Sequence, residues 1–330
     1  MFTNLIELIR TMPDEATCRK YVAEQRWGAG KTVCPYCNHN KAYVIEGGKR
    51  YKCASRTCYK KFSVTVGTFM EASNRPLTKW LAGIYLVTAH KKGISSYQLG
   101  RDLGIAQKNS WFMLHRIREV LKPQYDEVLS GIVEVDETYM AKKYRSKYKG
   151  LSPDEVEQLT EQQHLDKQKS KGAVIGIVQR NGNAIVKAIP RISKQHIKEM
   201  VTKHVDAQNT RLMTDESNLY KFSLRDYSRQ SVIHSKGQWV NGDCHTNTVE
   251  GLWAIMKRGI YGIYHHVTAK HLQAYCNEYA FRYNTRKIKD SQRFVLSLEG
   301  IKGRLTYKDL ISEKESKEKD TRSYYRQNKP

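Results

Sequence analysis

The sequence predicts an α/β protein, with a mixed α/β domain in its carboxyl-terminal half preceded by a small cysteine-rich module and an all-α domain. Three observations predict this. Four cysteines fall between residues 34 and 58 in two closely spaced pairs. Apolar residues then recur at helical spacing from Leu77 to Leu121. From Gly131 onward, short apolar runs alternate with amphipathic stretches, the texture of strands and helices sharing one sheet.

Bulk composition permits this organisation. A chain of 330 residues has room for two or three domains, and 39% hydrophobic content excludes wholesale disorder. The longest apolar stretch, Leu81–Ala89, stops at His90-Lys91-Lys92, far short of the ~20 residues a membrane span needs. Met1–Arg10 contains Glu7 and no small-residue cleavage site, so no signal peptide and no membrane partner are expected, and the protein reads as cytoplasmic. Lys and Arg number 57 against 33 Asp and Glu, a net charge of +24. The excess is spread over both halves of the chain, and such a field favours a polyanion, nucleic acid first among them.

The cysteines carry the most specific signal. Cys34-Pro-Tyr-Cys37 is followed by fifteen residues, Cys53, four more residues and Cys58. Two short-spaced pairs at this separation are the layout of a four-thiolate zinc site, each pair presenting two sulfurs. Zn²⁺ suits a small module with little core, because metal binding supplies its folding free energy. Lys41–Ile45, Arg50–Cys53 and Lys61–Val66 alternate like short strands around Gly47-Gly48, which makes the module a zinc ribbon. Two disulfides are disfavoured in a chain with no secretion signal. Cys18, Cys244 and Cys276 read as inert thiols. Lys49, Arg50 and Lys52 make the ribbon basic and are candidate contacts to a DNA backbone.

Next, Pro76 opens a helical pattern through Trp80, Leu81, Ile84, Tyr85 and Val87. Gly93-Ile94-Ser95-Ser96 offers a serine cap for a helix over Tyr97–Leu103, and Gly104-Ile105 makes a tight turn. A second helix, about Gln107–Leu121, carries Trp111, Leu114, Ile117 and Leu121 at helical spacing. Helix, glycine turn, helix is a DNA-reading unit whose second helix enters the major groove; an ordinary helical hairpin has the same pattern. On the DNA reading, Gln107, Lys108, Asn109 and Ser110 lie at the amino end of that helix, with Arg116 and Arg118 following.

The carboxylates come after residue 131. Gly131–Met140 reads as a buried strand interrupted by acids, an arrangement that is costly unless the charge is used. Glu134 and Asp136 share one face and Glu137 takes the other. Gly172–Gln179 and Asn183–Ile189 form a hairpin around Asn181-Gly182, and Ser193–Val205 is an amphipathic helix. Arg211–Ser217 is a strand ending on Asp215, Ser231–His234 a further short strand, and a helix from about Asn247 to Ile260 holds Glu250, Trp253 and Lys257. This is the element order of an RNase H-like fold, in which acids on the first strand, the fourth strand and a late helix meet at one point. Asp136, Asp215 and Glu250 occupy those places. Three such hard oxygen donors suit Mg²⁺ or Mn²⁺, and two ions together can activate an attacking oxygen and stabilise the leaving oxygen of a phosphodiester. Lys257, two turns past Glu250, is placed to hold the DNA backbone. Asn247 competes with Glu250 as third ligand; His245 is either a neighbour of the catalytic site or a satisfied loop histidine; Glu134, Glu137 and Glu216 are surface residues or substitutes for the assigned acids.

Residues of about 20–290 resemble bacterial insertion-sequence transposases of the DDE type that carry an amino-terminal zinc ribbon. The resemblance rests on Cys34-Pro-Tyr-Cys37, the ribbon end Phe62-Ser-Val-Thr-Val-Gly67, Val135-Asp136-Glu137-Thr138, Thr214-Asp215, and His245-Thr-Asn-Thr-Val-Glu250 continuing to Lys257-Arg258-Gly259. It implies Asp136, Asp215 and Glu250 as the DDE set, a divalent metal cofactor, and DNA cleavage with strand joining. Relatives with asparagine in place of the third acid leave Glu250 and Asn247 both open. The expected partners are double-stranded DNA, as the element's terminal repeats and as target, and a second copy of the chain, since two ends must be processed. Such a protein works at the nucleoid. A nuclease or resolvase that cuts without joining, or a DNA-binding regulator with a dead site, would use the same modules; the presence of every acid argues against the regulator.

The domains expected are a helical lead (1–30), the zinc ribbon (31–70), the helix-turn-helix domain (71–128), the RNase H-like domain (129–290) with a charged helical insertion (142–171), and an extension (291–330), disordered from residue 312. His271–Arg286 reads as a core helix dense in tyrosine.

Overall fold

A computed structural model of the chain describes residues 2–122, 128–140, 152 and 172–312. Apart from Ser152, the charged insertion expected at 142–171 lies outside the described residues, as does the tail after residue 312. The chain divides into two compact units. One comprises residues up to His90, Ile94–Leu121 and the stretch from Ile288 onward; the other comprises Lys91–Gly93 and Lys122–Lys287.

The first unit begins with helices α1 (Leu5–Thr11) and α2 (Glu15–Trp27), whose first turns are capped by the side chains of Asn4 and Asp14. Strands β1 (Ala42–Ile45), β2 (Arg50–Cys53) and β3 (Lys61–Phe62) form an antiparallel sheet. Trp27 of α2 packs edge-on against Tyr51 and Phe62 of this sheet, giving the small ribbon an aromatic core. Three helices follow, α3 (Leu77–Ala89), α4 (Ser96–Leu103) and α5 (Gln107–Val120). The Ser95 hydroxyl accepts the N–H of Gln98 and starts α4, and Gly104 ends it at φ +58°, a conformation that favours glycine.

The second unit is built on a five-stranded mixed sheet. Its strands are β4 (Leu129–Tyr139), β5 (Ala173–Gln179), β6 (Ala184–Ile189), β7 (Val205–Thr214) and β8 (Ser228–Ser231), in the order β6-β5-β4-β7-β8. β6, β5 and β4 pair antiparallel; β4, β7 and β8 pair parallel. Helix α6 (Lys194–His204) precedes β7, and α7 (Asn218–Ser223) separates β7 from β8. Helices α8 (Asn247–Gly259) and α9 (Ala269–Asn284) complete the unit. Val133, Val135, Ile175 and Ile177 pack with Ile197, Met200 and Val201 of α6 on one face. Val174, Val178 and Val186 pack with Val249, Leu252 and Trp253 of α8 and Leu272 and Cys276 of α9 on the other. Helices cover both faces of the sheet, and β5, Ala-Val-Ile-Gly-Ile-Val-Gln, is buried along nearly its whole length and almost continuously apolar, as a strand covered on two sides is expected to be. The mixed sheet is compatible with an RNase H-like domain.

The short strand expected at 231–234 lies three residues earlier, at Ser228–Ser231, and His234–Lys236 is a 3-10 turn. β8 is a polar edge strand, half exposed along its length, where Ser-Arg-Gln-Ser suffices because backbone pairing to β7 makes the contact.

The chain then returns to the first unit with α10 (Asp290–Glu299) and α11 (Tyr307–Ile311). Phe294 of α10 is fully buried, with its ring against those of Phe2 and Tyr21 at 5.2 and 6.2 Å.

Candidate active site and metal centre

The four ribbon cysteines converge. Their sulfurs all lie within 4.8 Å of one another, with Cys34 and Cys58 at 3.8 Å and Cys37 and Cys53 at 3.5 Å. A tetrahedral Zn²⁺ at the usual Zn–S length of about 2.3 Å sets its sulfurs about 3.8 Å apart, so the four thiolates fit structural zinc. Cys18, Cys244 and Cys276 are buried and are not part of this cluster.

In the second unit, β4 alternates its acids between the two faces of the sheet, as expected. Asp136 faces α8 and accepts the indole N–H of Trp253 at 2.8 Å. Glu137 faces the opposite side and accepts the Tyr220 hydroxyl of α7. Burial holds Asp136 at about 6, with the negative charges of Asp215 and Glu250 adding to the rise. Glu137 is pushed up to about 7 by burial and by the charges of Asp136 and Asp215. The carboxylates of β4, of the end of β7 and of the first turn of α8 therefore share one electrostatic environment. Their oxygens do not close as tightly as the cysteine sulfurs, which are the one converging set of three or more metal-ligating groups among the described residues. As donors they are nonetheless hard, anionic and mutually repulsive, which suits a divalent cation such as Mg²⁺ or Mn²⁺.

Each acid is held differently. Asp215 follows the last residue of β7, and its Oδ1 accepts the N–H of Ser217 at 2.9 Å. Glu250 is exposed on the first turn of α8, where Thr246 donates its hydroxyl to it at 2.7 Å. Asn247 opens the same helix and is also exposed. Lys257 is half-buried two turns beyond Glu250. Glu216 points away from this group, accepting the N–H groups of His234 and Ser235 at 2.6 and 2.9 Å and fixing the 3-10 turn after β8.

Trp253 reaches Asp136 only because position 176 is glycine. Gly176 is the partner of Asp136 across the β4–β5 pair. A Cβ there would stand 2.5 Å from the indole ring, closer than packed atoms come. The lone glycine in the apolar run Ala173–Val178 thus leaves space for the ring that orients the acid.

Glu134 is the functional residue that sequence reasoning did not place. It is 0% exposed, yet no surface acid: it accepts the backbone N–H groups of Thr248 and Val249 at 2.7 and 3.0 Å and the Thr248 hydroxyl at 2.7 Å. These are first-turn donors of α8, whose own cap residue, Thr246, makes no side-chain capping bond. Glu134 supplies the cap from the central strand, its charge favourable at a helix amino terminus. Arg180 neutralises it at 2.7 Å and also donates to the carbonyls of Asp243 and His245 at 2.8 and 3.0 Å. His245 Nδ1 lies 3.4 Å from the Glu134 carboxylate, so its ring faces this clamp.

Residues 128–284, the whole span from β4 to α9, match the ISXO2-like transposase domain family, and residues 13–61 match the transposase zinc-ribbon domain family. Both matched regions are domains of insertion-sequence transposases. One relative of this chain is the uncharacterized protein in transposable element ISH50 of Halobacterium salinarum. It is 26% identical over 258 residues, covering 76% of this chain and 84% of the relative. The zinc-ribbon match includes α2 and all four metal-binding cysteines.

The expected DNA contacts of the chain separate into two groups. Lys49, Arg50 and Lys108 are exposed, and Lys52, Gln107 and Asn109 are half-buried. Arg50 pairs loosely with Glu46 at 3.6 Å, and Lys52 lies over the Tyr59 ring at 5.5 Å. Ser110, Arg116 and Arg118 correct the expectation, because all three are buried. The Ser110 hydroxyl donates to the Ser96 carbonyl at 2.6 Å and ties α5 to α4. Arg116, 3% exposed, donates to the Glu71 carbonyl and lies over the Trp80 and Phe112 rings, each at 5.2 Å; burial lowers its pKa to about 10. Arg118 is 1% exposed. Packing in the first unit turns both arginines inward, away from a DNA-contacting surface. Among the described residues, no helix is long and apolar enough to cross a membrane.

Proposed function

We propose that this protein is a transposase that binds the terminal repeats of its own insertion sequence and catalyses metal-dependent cleavage of DNA ends and their transfer into target DNA. The observation that carries this reading is the position of Asp136. It lies on the central strand, is oriented by Trp253, and its pKa is raised to about 6 by burial with added repulsion from Asp215 and Glu250. Acids held against their own repulsion are stabilised when a cation is supplied. Bound Mg²⁺ or Mn²⁺, two ions on this reading, would activate an attacking oxygen and neutralise charge at the phosphodiester.

The chain's own residues take the following roles. Asp136, Asp215 and Glu250 hold the cations, with Asn247 the alternative third ligand on the exposed first turn of α8. Lys257, on the face of α8 that carries Glu250, binds a DNA phosphate. His245 is a positioning residue through Glu134, not a ligand. The zinc ribbon and the helix-turn-helix α4–α5 bind the terminal repeat, with Gln107, Lys108 and Asn109 at the groove and Lys49, Arg50 and Lys52 on phosphates. Residues 129–290 form the catalytic domain. Two ends processed together require a dimer or higher multimer on DNA, acting in the cytoplasm at the nucleoid.

The test combines purified protein, a labelled duplex carrying the element's own end, a plasmid target and Mg²⁺ or Mn²⁺. Joined product that disappears in Asp136→Ala and Asp215→Ala is the expected result. Cleaved ends without joined product would favour a nuclease. Cleavage and joining that survive both substitutions would refute the assignment of the acids.

A further inference from the structure

Residues 288–312 lie outside both matched family regions, yet they belong to the first unit. Their return path is fixed by backbone bonds. Phe69 donates its N–H to the Ile301 carbonyl at 3.3 Å, Lys302 bridges to Thr68, and Gly303 donates to the Gly67 carbonyl at 3.2 Å. The segment thereby docks at the end of the zinc ribbon.

From there it runs along α5 toward the amino end of that helix. Arg304 lies 3.7 Å from the carboxylate of Glu71, the residue whose carbonyl accepts from Arg116. Tyr307 packs edge-on against Phe112 at 5.5 Å, and the ammonium of Lys108 lies over its ring at 5.1 Å. Lys108, Phe112 and Arg116 recur every four residues and share one face of α5. Residues 304–307 cover that face and lead to its exposed end. The stretch Lys302–Lys308 contains three cations and no acid. Lys302, Arg304 and Lys308 are all exposed, on a backbone held by the Thr68 bridge at one end and by the Thr306 cap of α11 at the other.

We propose that Lys302–Lys308 is a DNA-contacting element, in which Lys302, Arg304 and Lys308 bind phosphates of the double-stranded DNA whose groove receives the amino end of α5. The proposal rests on the reading of α4–α5 as DNA-reading helices. It makes the DNA-binding surface discontinuous in sequence, assembled from segments on either side of the catalytic domain. Contacts of this kind carry no base information; they set the register of the duplex and add salt-dependent affinity.

The experiment uses the full-length protein, a labelled duplex bearing the element's terminal repeat, and an unrelated duplex of equal length. Affinity is measured across a series of salt concentrations for the wild type and three variants. These are Lys108→Ala, the triple variant Lys302→Ala/Arg304→Ala/Lys308→Ala, and the charge-retaining Lys302→Arg/Arg304→Lys/Lys308→Arg. The triple alanine variant is expected to weaken binding of both duplexes equally and to reduce the slope of log K against log salt by about 3, roughly one per lost contact. The charge-retaining variant is expected to keep the wild-type slope. If Lys108→Ala weakens binding while the triple alanine variant does not, the proposal falls and the reading of α5 stands. If Lys108→Ala has no effect, that reading falls and takes the proposal with it. A loss shared by the charge-retaining variant would show that packing, not charge, is at stake and would also overturn it.

Discussion

The carboxylate of Glu134 accepts the backbone N–H of Thr248 at 2.7 Å, so the central strand of the sheet caps the helix that carries Glu250. One acid on β4 thus fixes the start of α8 while Asp136, two residues on, is oriented by Trp253 from the same helix. Strand and helix position each other through two side chains.

Replacing Glu134 with alanine removes both halves of this arrangement. The first-turn donors of α8 lose their acceptor and Arg180 loses its buried counter-charge, which places the loss at roughly 3–5 kcal/mol. Glu134→Gln keeps an acceptor for the helix but not the charge and is expected to lose less. Chemical denaturation gives the order, and an alanine variant as stable as the wild type would refute the clamp.

Gly176→Ala is expected to cost about 1–3 kcal/mol, because its Cβ would stand 2.5 Å from the Trp253 ring. The atoms in the way belong to the outer edge of the indole, which phenylalanine lacks. Gly176→Ala/Trp253→Phe should therefore recover much of the stability lost in Gly176→Ala alone, giving strongly non-additive terms in a double-mutant cycle. It should not recover DNA joining, since the N–H that orients Asp136 is gone.

The raised pKa of Asp136 gives a pH signature. In the unfolded chain this carboxyl ionises near 3.8; in the folded protein it ionises at about 6. As pH rises through that window the unfolded state releases its proton first, so folding stability falls, and the penalty is fully developed above pH 6. Without divalent metal, Asp136→Asn is expected to exceed the wild type by up to about 3 kcal/mol above pH 6, and by almost nothing near pH 4. Mg²⁺ should narrow the gap by binding the ionised wild-type site. Thermal unfolding from pH 4 to 8, with Mg²⁺ varied and no chelator so that zinc stays in place, would reveal it.

Zinc removal should act on the first unit. With so small a ribbon core, built around Trp27, Tyr51 and Phe62, chelation or Cys53→Ala is expected to unfold residues 31–70 and abolish end binding. The sheet of the second unit should keep its own unfolding transition. A single shift of every transition together would argue against a local role for the metal.

The third ligand separates by substitution. Glu250→Ala should abolish joining while Asn247→Ala lowers it by tenfold or less, if Glu250 binds the cation; the reverse order would assign Asn247. End binding should be unchanged in both, since neither residue lies in the first unit.

Much of this architecture is legible in the sequence. The cysteine spacing announces the ribbon, Ser95 and Gly104 bracket α4, and acids inside the apolar β4 stand out because buried charge has to be used. What was not legible depends on contacts far apart in the chain. Glu134 caps a helix 114 residues away, so no local capping pattern marks it. Arg116 and Arg118 stand as candidate DNA contacts in the sequence because a cation's place on a helix does not show what packs over it. β8 was misplaced because a polar edge strand is specified by its neighbour's backbone and not by its own side chains.

The division of the chain into units also bears on the order of synthesis. The ribosome completes the β4–α9 unit before it makes Phe294, which fills the core shared by Phe2 and Tyr21. During translation the nascent first unit therefore waits with an apolar gap while the second can already fold. The first unit is finished only once α10 has left the exit tunnel.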